Sequence, residues 1–221
     1  AKVEIQNDAP VSKTLTVRTS IRDKEGKVCG EEETKLFLTP REVRTIGQRI
    51  AVKNPSLWSD ESPVLYQAKT ELFAGETLLD GEETSFGIRT LSLDAVRGLR
   101  VNGKSVKLRG ACIHHDSGIL GAAVYGDEAL RKMRALKAAG FNAVRMSHQP
   151  AAPAWLRACD AVGLYVMDEL TDMWNRCKTD YDYGLYFADW WEKDVTAMVR
   201  KDYNHPSVIL YSIGNESPEL G

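Results

Sequence analysis

The hydrophobic residues follow two different periods along the chain. In residues 15–21 and again in residues 64–72, apolar and polar positions alternate. Strict alternation is typical of a strand that buries one face. Turn-forming residues separate these runs, and no convincing helical spacing interrupts them. The pattern predicts several short antiparallel strands in a small β-sandwich over residues 1–91.

A second rhythm begins near Leu108, where strand-like and helix-like segments alternate. Apolar runs at residues 107–113, 141–146, 164–167 and 208–213 predict four strands, with a helix after each of the first three. Strands that alternate with helices form right-handed βαβ units and a parallel sheet. Such a sheet is half of a (β/α)8 barrel or part of a doubly wound open sheet, and periodicity does not separate the two.

Local signals refine several element boundaries. An Asn-Gly pair inside residues 99–108 predicts a tight hairpin. Asp127 is the expected N-cap of the first helix, because its carboxylate can accept a hydrogen bond from a free backbone N–H. The third helix is predicted over residues 186–203, with Trp190, Trp191, Val195, Met198 and Val199 as its apolar residues.

The charge balance excludes two classes of partner. The 221 residues contain 29 Lys and Arg against 31 Asp and Glu, which leaves a net charge of −2. This balance provides no basic surface for nucleic acid or an anionic membrane. No apolar run is long enough to span a bilayer. We therefore expect neither a nucleic-acid partner nor a membrane partner.

Cysteine usage bears on the compartment. Cys29, Cys112, Cys159 and Cys177 are scattered, and they form neither a disulfide framework nor a CxxC zinc pattern. This favours a reducing compartment such as the cytoplasm. The first residues lack the features of a signal peptide. A periplasmic location nevertheless stays open, because we expect the true N-terminus to lie outside this chain.

Titratable or amide side chains follow each predicted parallel strand. Ligands of parallel α/β folds bind at the carboxyl ends of the strands, where neighbouring strand ends meet. We therefore predict one site at this edge, against the alternative that polar residues simply begin the loops. The residues at the four strand ends are, in chain order, His114, His115, Asp116, Arg145, His148, Asp168, Glu169, Asp172, Asn215 and Glu216.

Two chemistries suit these side chains. Nucleophile-elbow and phosphate-loop motifs are absent from the sequence. His114, His115, Asp116 and Glu169 could hold a metal ion, although their spacing matches no zinc motif. Carboxylates with His, Asn and Arg also suit a carbohydrate, because polar groups bind hydroxyls and two carboxylates cleave a glycosidic bond. Trp174 would then stack on a sugar face, or it fills a core position.

Three motifs resemble glycoside hydrolase family 2, which contains β-galactosidases, β-glucuronidases and β-mannosidases. Residues 142–150 read NAVRMSHQP, residues 159–169 read CDAVGLYVMDE, and residues 204–216 read NHPSVILYSIGNE. They are similar, in the same order, to the family segments NAVRxSHxP, CDxxGLYVxDE and NHPSVIxWSxGNE. Residues 110–116 and 168–174 look most like the bacterial β-galactosidase branch.

The resemblance covers essentially the whole chain and implies its architecture. Residues 57–59, 63–66 and 86–89 are similar to segments of the family's immunoglobulin-like domain. The resemblance implies an immunoglobulin-like β-sandwich over residues 1–91 and strands one to four of a (β/α)8 TIM barrel over residues 92–221. Family members carry a further β-domain before the sandwich and a complete barrel. The resemblance therefore implies a fragment of a longer protein.

The resemblance also implies a retaining mechanism and residue roles. Glu216 takes the position of the acid/base, and Asn215 that of the residue that binds the sugar 2-hydroxyl. The family's nucleophile follows the seventh strand, outside this chain, so we expect the chain to be inactive by itself. The other candidates for the sugar pocket are His114, His115, Asp116, Arg145, His148, Asp172 and Trp174.

Three departures from the family pattern stand out. Gln149 replaces the usual Asn or Tyr, and Tyr211 replaces the usual Trp. Met173 and Trp174 occupy the stretch where large β-galactosidases place a Glu and a His that bind a metal ion. We therefore predict no cofactor, although a divalent cation or a sodium ion stays open.

The leading hypothesis is an exo-β-glycosidase that hydrolyses terminal β-galactosides. A β-glucuronidase or another family 2 glycosidase is the alternative within the family. A non-catalytic carbohydrate-binding remnant and a metal-dependent hydrolase at His114 and His115 are two further hypotheses. Half a barrel would leave apolar strand edges uncovered, so we also expect the chain to self-associate.

Overall fold

The computed structural model describes residues 1–217, and its contacts separate two units. One unit contains residues 1–56 and 65–88, and the other contains residues 57–64 and the chain from Arg89 onwards. Among the described residues, no helix is long and apolar enough to cross a membrane. The expected domain limit between residues 91 and 92 stays a prediction.

The first unit is all-β, as the alternating pattern predicts. A four-stranded antiparallel sheet has the order β3-β2-β5-β6, and β1 pairs with β4 in a second sheet. Leu15 and Val17 of β2 pack with Leu36 and Leu38 of β3 in its core. The strands are β1 (Lys2–Gln6), β2 (Lys13–Arg22), β3 (Val28–Leu38), β4 (Val43–Gly47), β5 (Tyr66–Ala74) and β6 (Thr77–Phe86).

The second unit begins with a small antiparallel meander and continues as a parallel sheet. The predicted hairpin is confirmed, and Asn102 and Gly103 form its turn with positive φ angles of 52° and 78°. The meander strands are β7 (Leu91–Asp94), β8 (Gly98–Val101) and β9 (Lys104–Ser105). The parallel strands are β10 (Gly110–Ile113), β11 (Ala143–Met146), β12 (Tyr165–Glu169) and β13 (Val208–Ser212).

Three helices connect the parallel strands, and the strand order resolves the alternative left open by periodicity. The helices are α1 (Gly126–Ala138), α2 (Pro153–Val162) and α3 (Phe187–Asp202). The four strands lie side by side in chain order, without the reversal that marks a doubly wound sheet. This order is that of consecutive strands in a (β/α)8 barrel. The core beside this sheet contains Val144 and Val166 of the strands and Trp155 and Leu156 of α2, together with residues of α1.

One local prediction, the N-cap of α1, is wrong. Helix α1 begins at Gly126 with Tyr125 as its N-cap, so Asp127 lies in the first turn, where its charge still favours the helix dipole. Trp190 and Trp191 are 47% and 46% exposed. Within the described chain, buried α3 side chains are confined to its C-terminal half, at Met198 and Asp202. Apolar spacing predicts which helix face is apolar, but not how far along the helix a neighbour covers it.

Candidate active site

The carboxyl ends of β10 to β13 carry most of the predicted site residues. Strand β12 runs to Glu169, so Asp168 and Glu169 are strand residues and do not begin a loop. Arg145 lies in the neighbouring strand β11, and Asn215 follows β13. The parallel register therefore brings these side chains to one edge of the sheet.

The buried carboxylate of Glu169 is the centre of the site. Arg145 donates to its Oε2 from Nε at 2.8 Å and from Nη2 at 2.6 Å. The Ser212 hydroxyl donates to the same oxygen at 2.7 Å, and His148 Nδ1 lies 2.5 Å from Oε1. These hydrogen bonds with Glu169 raise the pKa of Arg145 above its usual value. Because partners occupy both of its oxygens, Glu169 positions its neighbours and is not a free nucleophile in this arrangement.

Asn215 connects this centre to Asp172. Arg145 Nη2 donates to Asn215 Oδ1 at 3.0 Å, and Asn215 Nδ2 donates to Asp172 Oδ1 at 2.8 Å. Burial raises the pKa of Asp172, but hydrogen bonds from Lys178 and Asn215 outweigh this and lower it below its ordinary value. Asp172 therefore stays a carboxylate at neutral pH, and the orientation of the Asn215 amide is fixed at both ends.

Glu216 follows Asn215 with an accessible carboxyl group. Its side chain is 79% exposed and forms an ion pair with Lys178 Nζ at 3.4 Å. Its backbone φ is +48°, a left-handed conformation that is uncommon for a residue other than Gly. An accessible carboxyl beside a fixed amide is suited to proton transfer with a bound molecule.

The three predicted residues after β10 take different places. The ring of His114 lies edge-on to His148, with the centroids 5.3 Å apart, so His114 adjoins the centre. His115 stacks on the buried Trp155 at 4.5 Å, and burial lowers its pKa. Asp116 is exposed, and its Oδ1 accepts a hydrogen bond from the Gly118 backbone. Of the three, His114 is thus the one in contact with the residues around Glu169.

The remaining predictions concern Trp174 and a metal ion. The Trp174 ring stacks on Phe187, with the centroids 6.1 Å apart, and its Nε1 donates to the Ile213 carbonyl at 2.8 Å. Phe187 therefore covers part of the surface proposed for a sugar ring. Across residues 1–217, no group of three or more His, Cys, Asp or Glu side chains is placed to hold a metal ion.

Two residues of the site lie outside the set predicted from sequence. Ser212 is part of the NHPSVILYSIGNE motif, so its place in the motif was an available signal. Lys178 lies in the long segment between β12 and α3, where hydrophobic periodicity carries no information. It donates to Asp172 Oδ1 at 2.8 Å and comes within 3.3 Å of the Asn215 carbonyl oxygen.

A second buried carboxyl supports the loop that carries His148. Asp168 Oδ1 accepts a hydrogen bond from the Ala151 N–H at 2.9 Å, and Lys201 Nζ donates to the Ala151 carbonyl at 2.8 Å. Burial, followed by the neighbouring Asp202 carboxyl group, raises the pKa of Asp168 to about 7. Strand β12 and helix α3 therefore fix the backbone three residues beyond His148.

Comparisons with known proteins cover both parts of the chain. Residues 95–220 match the family model "Glycosyl hydrolases family 2, TIM barrel domain", and residues 1–89 match "Glycosyl hydrolases family 2". These matches and the solved structures below confirm the fold class, a β-sandwich followed by the first strands of a TIM barrel.

Curated relatives carry two activity names. "Beta-galactosidase BoGH2A" of Bacteroides ovatus is 41% identical over 210 residues, which are 95% of this chain and 25% of that protein. "Putative beta-glucuronidase" of Formosa agariphila is 38% identical over 206 residues, which are 93% of this chain and 19% of that protein. The chain thus spans a quarter or less of the length of these relatives.

Solved structures reproduce the fold over nearly all of the chain. A glycosyl hydrolase family 2 member from Bacteroides cellulosilyticus has a TM-score of 0.92 and 42% identity, and the match covers 99% of this chain and 29% of that one. Bacteroides uniformis beta-glucuronidase has a TM-score of 0.86 and 31% identity, with 98% of this chain and 26% of that one covered.

Proposed function

Because the chain belongs to glycoside hydrolase family 2, we propose that it is part of a retaining exo-β-glycosidase that removes terminal β-galactosyl groups. One observation carries this proposal. The accessible Glu216 carboxyl directly follows an Asn215 amide that Arg145 and Asp172 hold in place. The chain spans a quarter or less of the curated relatives above, so the activity of the whole protein is part of the proposal.

The proposed reaction has two steps, and Glu216 acts in both. First, the protonated Glu216 carboxyl donates its proton to the glycosidic oxygen while a carboxylate nucleophile attacks the anomeric carbon. The leaving alcohol departs, and a covalent glycosyl-enzyme forms. Glu216, now a carboxylate, then takes a proton from water as the water attacks the same carbon, and the bond between that carbon and the nucleophile breaks, which releases the sugar and regenerates the nucleophile carboxylate. We propose that the nucleophile comes from a part of the protein outside this chain.

The free hydrogen-bonding positions of Asn215 and His148 suit sugar hydroxyls. The Asn215 amide keeps one N–H and one oxygen lone pair after its bonds to Asp172 and Arg145, which is sufficient for the 2-hydroxyl. The contact of His148 Nδ1 with Glu169 leaves His148 Nε2 for a second hydroxyl. His114, Asp172 and Trp174 belong to the proposed pocket wall, and roles for His115 and Asp116 stay predictions.

The pairing of Arg145 and Lys178 with carboxylates favours a neutral sugar over a uronic acid. Recognition of a glucuronate carboxylate needs a cationic donor that is free to bind it. Arg145 is already paired with Glu169, and Lys178 with Asp172 and Glu216. A β-glucuronidase is the second candidate, because some of the relatives carry that name.

Assays of the complete gene product test this function. Wild type and Glu216→Gln are compared on nitrophenyl β-galactoside, β-glucuronide, β-mannoside and β-glucoside, with Glu192→Gln on α3 as a matched exposed control. We expect the galactoside to be cleaved fastest and Glu216→Gln to lose about 100-fold or more in kcat, because general acid–base catalysis contributes that much. A Glu216→Gln protein as active as the control would exclude the proposed role of Glu216.

The 221-residue chain alone is the second arm of this assay. We expect it to release no nitrophenol, because the proposed nucleophile lies elsewhere. Hydrolysis that disappears in Glu216→Gln would instead place a nucleophile within this chain. Light scattering on the same sample tests the predicted self-association. An apolar groove of about 270 Å³ along the sheet, lined in part by Met167 and Leu210, favours it, and a monodisperse monomer would contradict it.

A further inference from the structure

We infer that Lys178 is a positioning residue that holds the Asn215–Glu216 segment in its productive orientation. The inference rests on the proposed function, because it concerns the aim of the proposed acid/base. None of the three family motifs includes Lys178, which lies between the second and the third motif.

The Lys178 ammonium group contacts three parts of the site at once. Its Nζ donates to Asp172 Oδ1 at 2.8 Å, to the Asn215 backbone carbonyl at 3.3 Å and to Glu216 Oε2 at 3.4 Å. An ammonium group has three N–H donors, so these contacts use its full capacity. The hydrogen bond and charge of Asp172, with a smaller contribution from Glu216, raise the pKa of Lys178. The cation therefore persists at neutral pH.

Lys178 is itself fixed by the turn in which it lies. Asp182 Oδ2 accepts hydrogen bonds from the backbone N–H of Lys178 at 2.6 Å and of Thr179 at 2.9 Å. Its Oδ1 accepts from the Gly184 N–H at 2.9 Å. These backbone hydrogen bonds, above all that from Thr179, lower the pKa of Asp182, so its charged form maintains the turn. The position of the lysine backbone is thus determined before a ligand arrives.

The backbone and side chain of Glu216 need a contact that holds them in place. Its φ of +48° places a non-Gly residue in a sparsely populated conformation, which persists when surrounding contacts favour it. Within residues 1–217 the Glu216 side chain is 79% exposed, and its carboxylate contacts Lys178. A proton donor must lie within hydrogen-bond reach of the leaving oxygen, and an error of about 1 Å can cost about 100-fold in rate. Lys178 acts on the backbone of Asn215 and the carboxylate of Glu216 together, and so restricts both.

Leaving-group dependence distinguishes positioning of the acid from a structural role. The complete gene product is assayed as wild type, Lys178→Met and Lys178→Arg on two glycosides of its preferred sugar. One carries 2,4-dinitrophenol, which departs without protonation, and the other carries methanol, which needs the acid. For Lys178→Met we expect kcat/KM to fall about 10- to 100-fold on the methyl glycoside and less than about 3-fold on the dinitrophenyl glycoside. Lys178→Arg should recover part of the loss.

Lys193→Met is the matched control, because Lys193 lies on the exposed part of α3 beside Trp190. It should match wild type on both substrates. Equal losses of Lys178→Met on both glycosides, or no loss on either, would overturn the inference and leave the proposed function standing. A wild-type protein that cleaves no glycoside would overturn the proposed function and, with it, the role of Lys178.

Discussion

Arg145 directs two N–H groups at a single oxygen of the buried Glu169 carboxylate, at 2.8 and 2.6 Å. The same oxygen accepts the Ser212 hydroxyl, and Arg145 continues to Asn215. One carboxylate therefore orders side chains from β11 and β13 around its own strand β12. A buried charge with this many donors is needed for the arrangement of the site as well as for the stability of the sheet.

Glu169→Gln should destabilise the parallel-sheet unit. The amide removes the charge that Arg145 faces and puts an N–H₂ donor where an acceptor is required, so we expect a loss of about 3 kcal/mol in the free energy of unfolding. Urea denaturation of the 221-residue chain at neutral pH measures it. Arg131→Gln breaks an ion pair in which the arginine is exposed, and it should cost less than about 1 kcal/mol. Equal losses from Glu169→Gln and Arg131→Gln would show that the buried Glu169 carboxylate contributes no more to stability than an exposed ion pair does.

The buried Asp168 predicts a pH dependence of stability. Its pKa is raised to about 7 in the folded state, so the folded protein keeps a proton that the unfolded chain releases near its ordinary value of 3.8. Stability from this group is therefore fully present below about pH 4 and is lost as the pH rises towards 7. Each pKa unit corresponds to about 1.4 kcal/mol.

Asp168→Asn isolates this contribution, because the amide stays neutral and can keep the bond from the Ala151 N–H. Urea unfolding at about pH 5 and about pH 7 should show that wild type loses about 2 kcal/mol more than the variant over this range. Parallel pH dependences for the two proteins would mean that the Asp168 carboxyl does not titrate in this range.

Alanine substitutions at two glycines that follow helices distinguish the stability cost of backbone strain from the cost of a steric clash. Gly163 and Gly140 have φ angles of +80° and +91°, so an alanine is strained at either position. A Cβ on Gly163 would also lie 2.5 Å from the Asp60 carbonyl oxygen, whereas a Cβ on Gly140 would meet nothing within 4 Å. We expect Gly140→Ala to cost about 1 kcal/mol and Gly163→Ala at least twice that, by thermal or urea unfolding. Equal costs would show that the loop of Asp60 moves aside.

Sequence patterns predict the two halves of the fold because burial imposes a period on each of them. The alternation in β2 and the apolar run of β11 correspond to real strands. The expected N-cap, Asp127, lies two positions beyond the observed N-cap, Tyr125, because a carboxylate stabilises a helix either as a cap or in the first turn. The exposure of Trp190 and Trp191 depends on what covers α3, which is a tertiary property.

The candidate site was predictable in its parts but not in its connections. Polar residues at the ends of parallel strands indicate which side chains meet: Arg145 and His148 contact Glu169, and Asn215 contacts Arg145. Sequence does not distinguish a ligand-binding residue from one that supports it, because both are polar. Lys178 shows the limit, since a contact made from a long aperiodic loop has no signature in the pattern.

Azide rescue of a Glu216→Ala variant tests the central claim that Glu216 is the acid/base of a retaining glycosidase. The complete gene product carrying Glu216→Ala is given a dinitrophenyl β-glycoside, which forms the glycosyl-enzyme without an acid, and turnover then stalls because no base activates water. Azide needs no base, so we predict that adding azide accelerates turnover and yields the β-glycosyl azide. The account would be contradicted if the Glu216→Ala variant turned over as fast as wild type without azide, or if the product were the α-glycosyl azide.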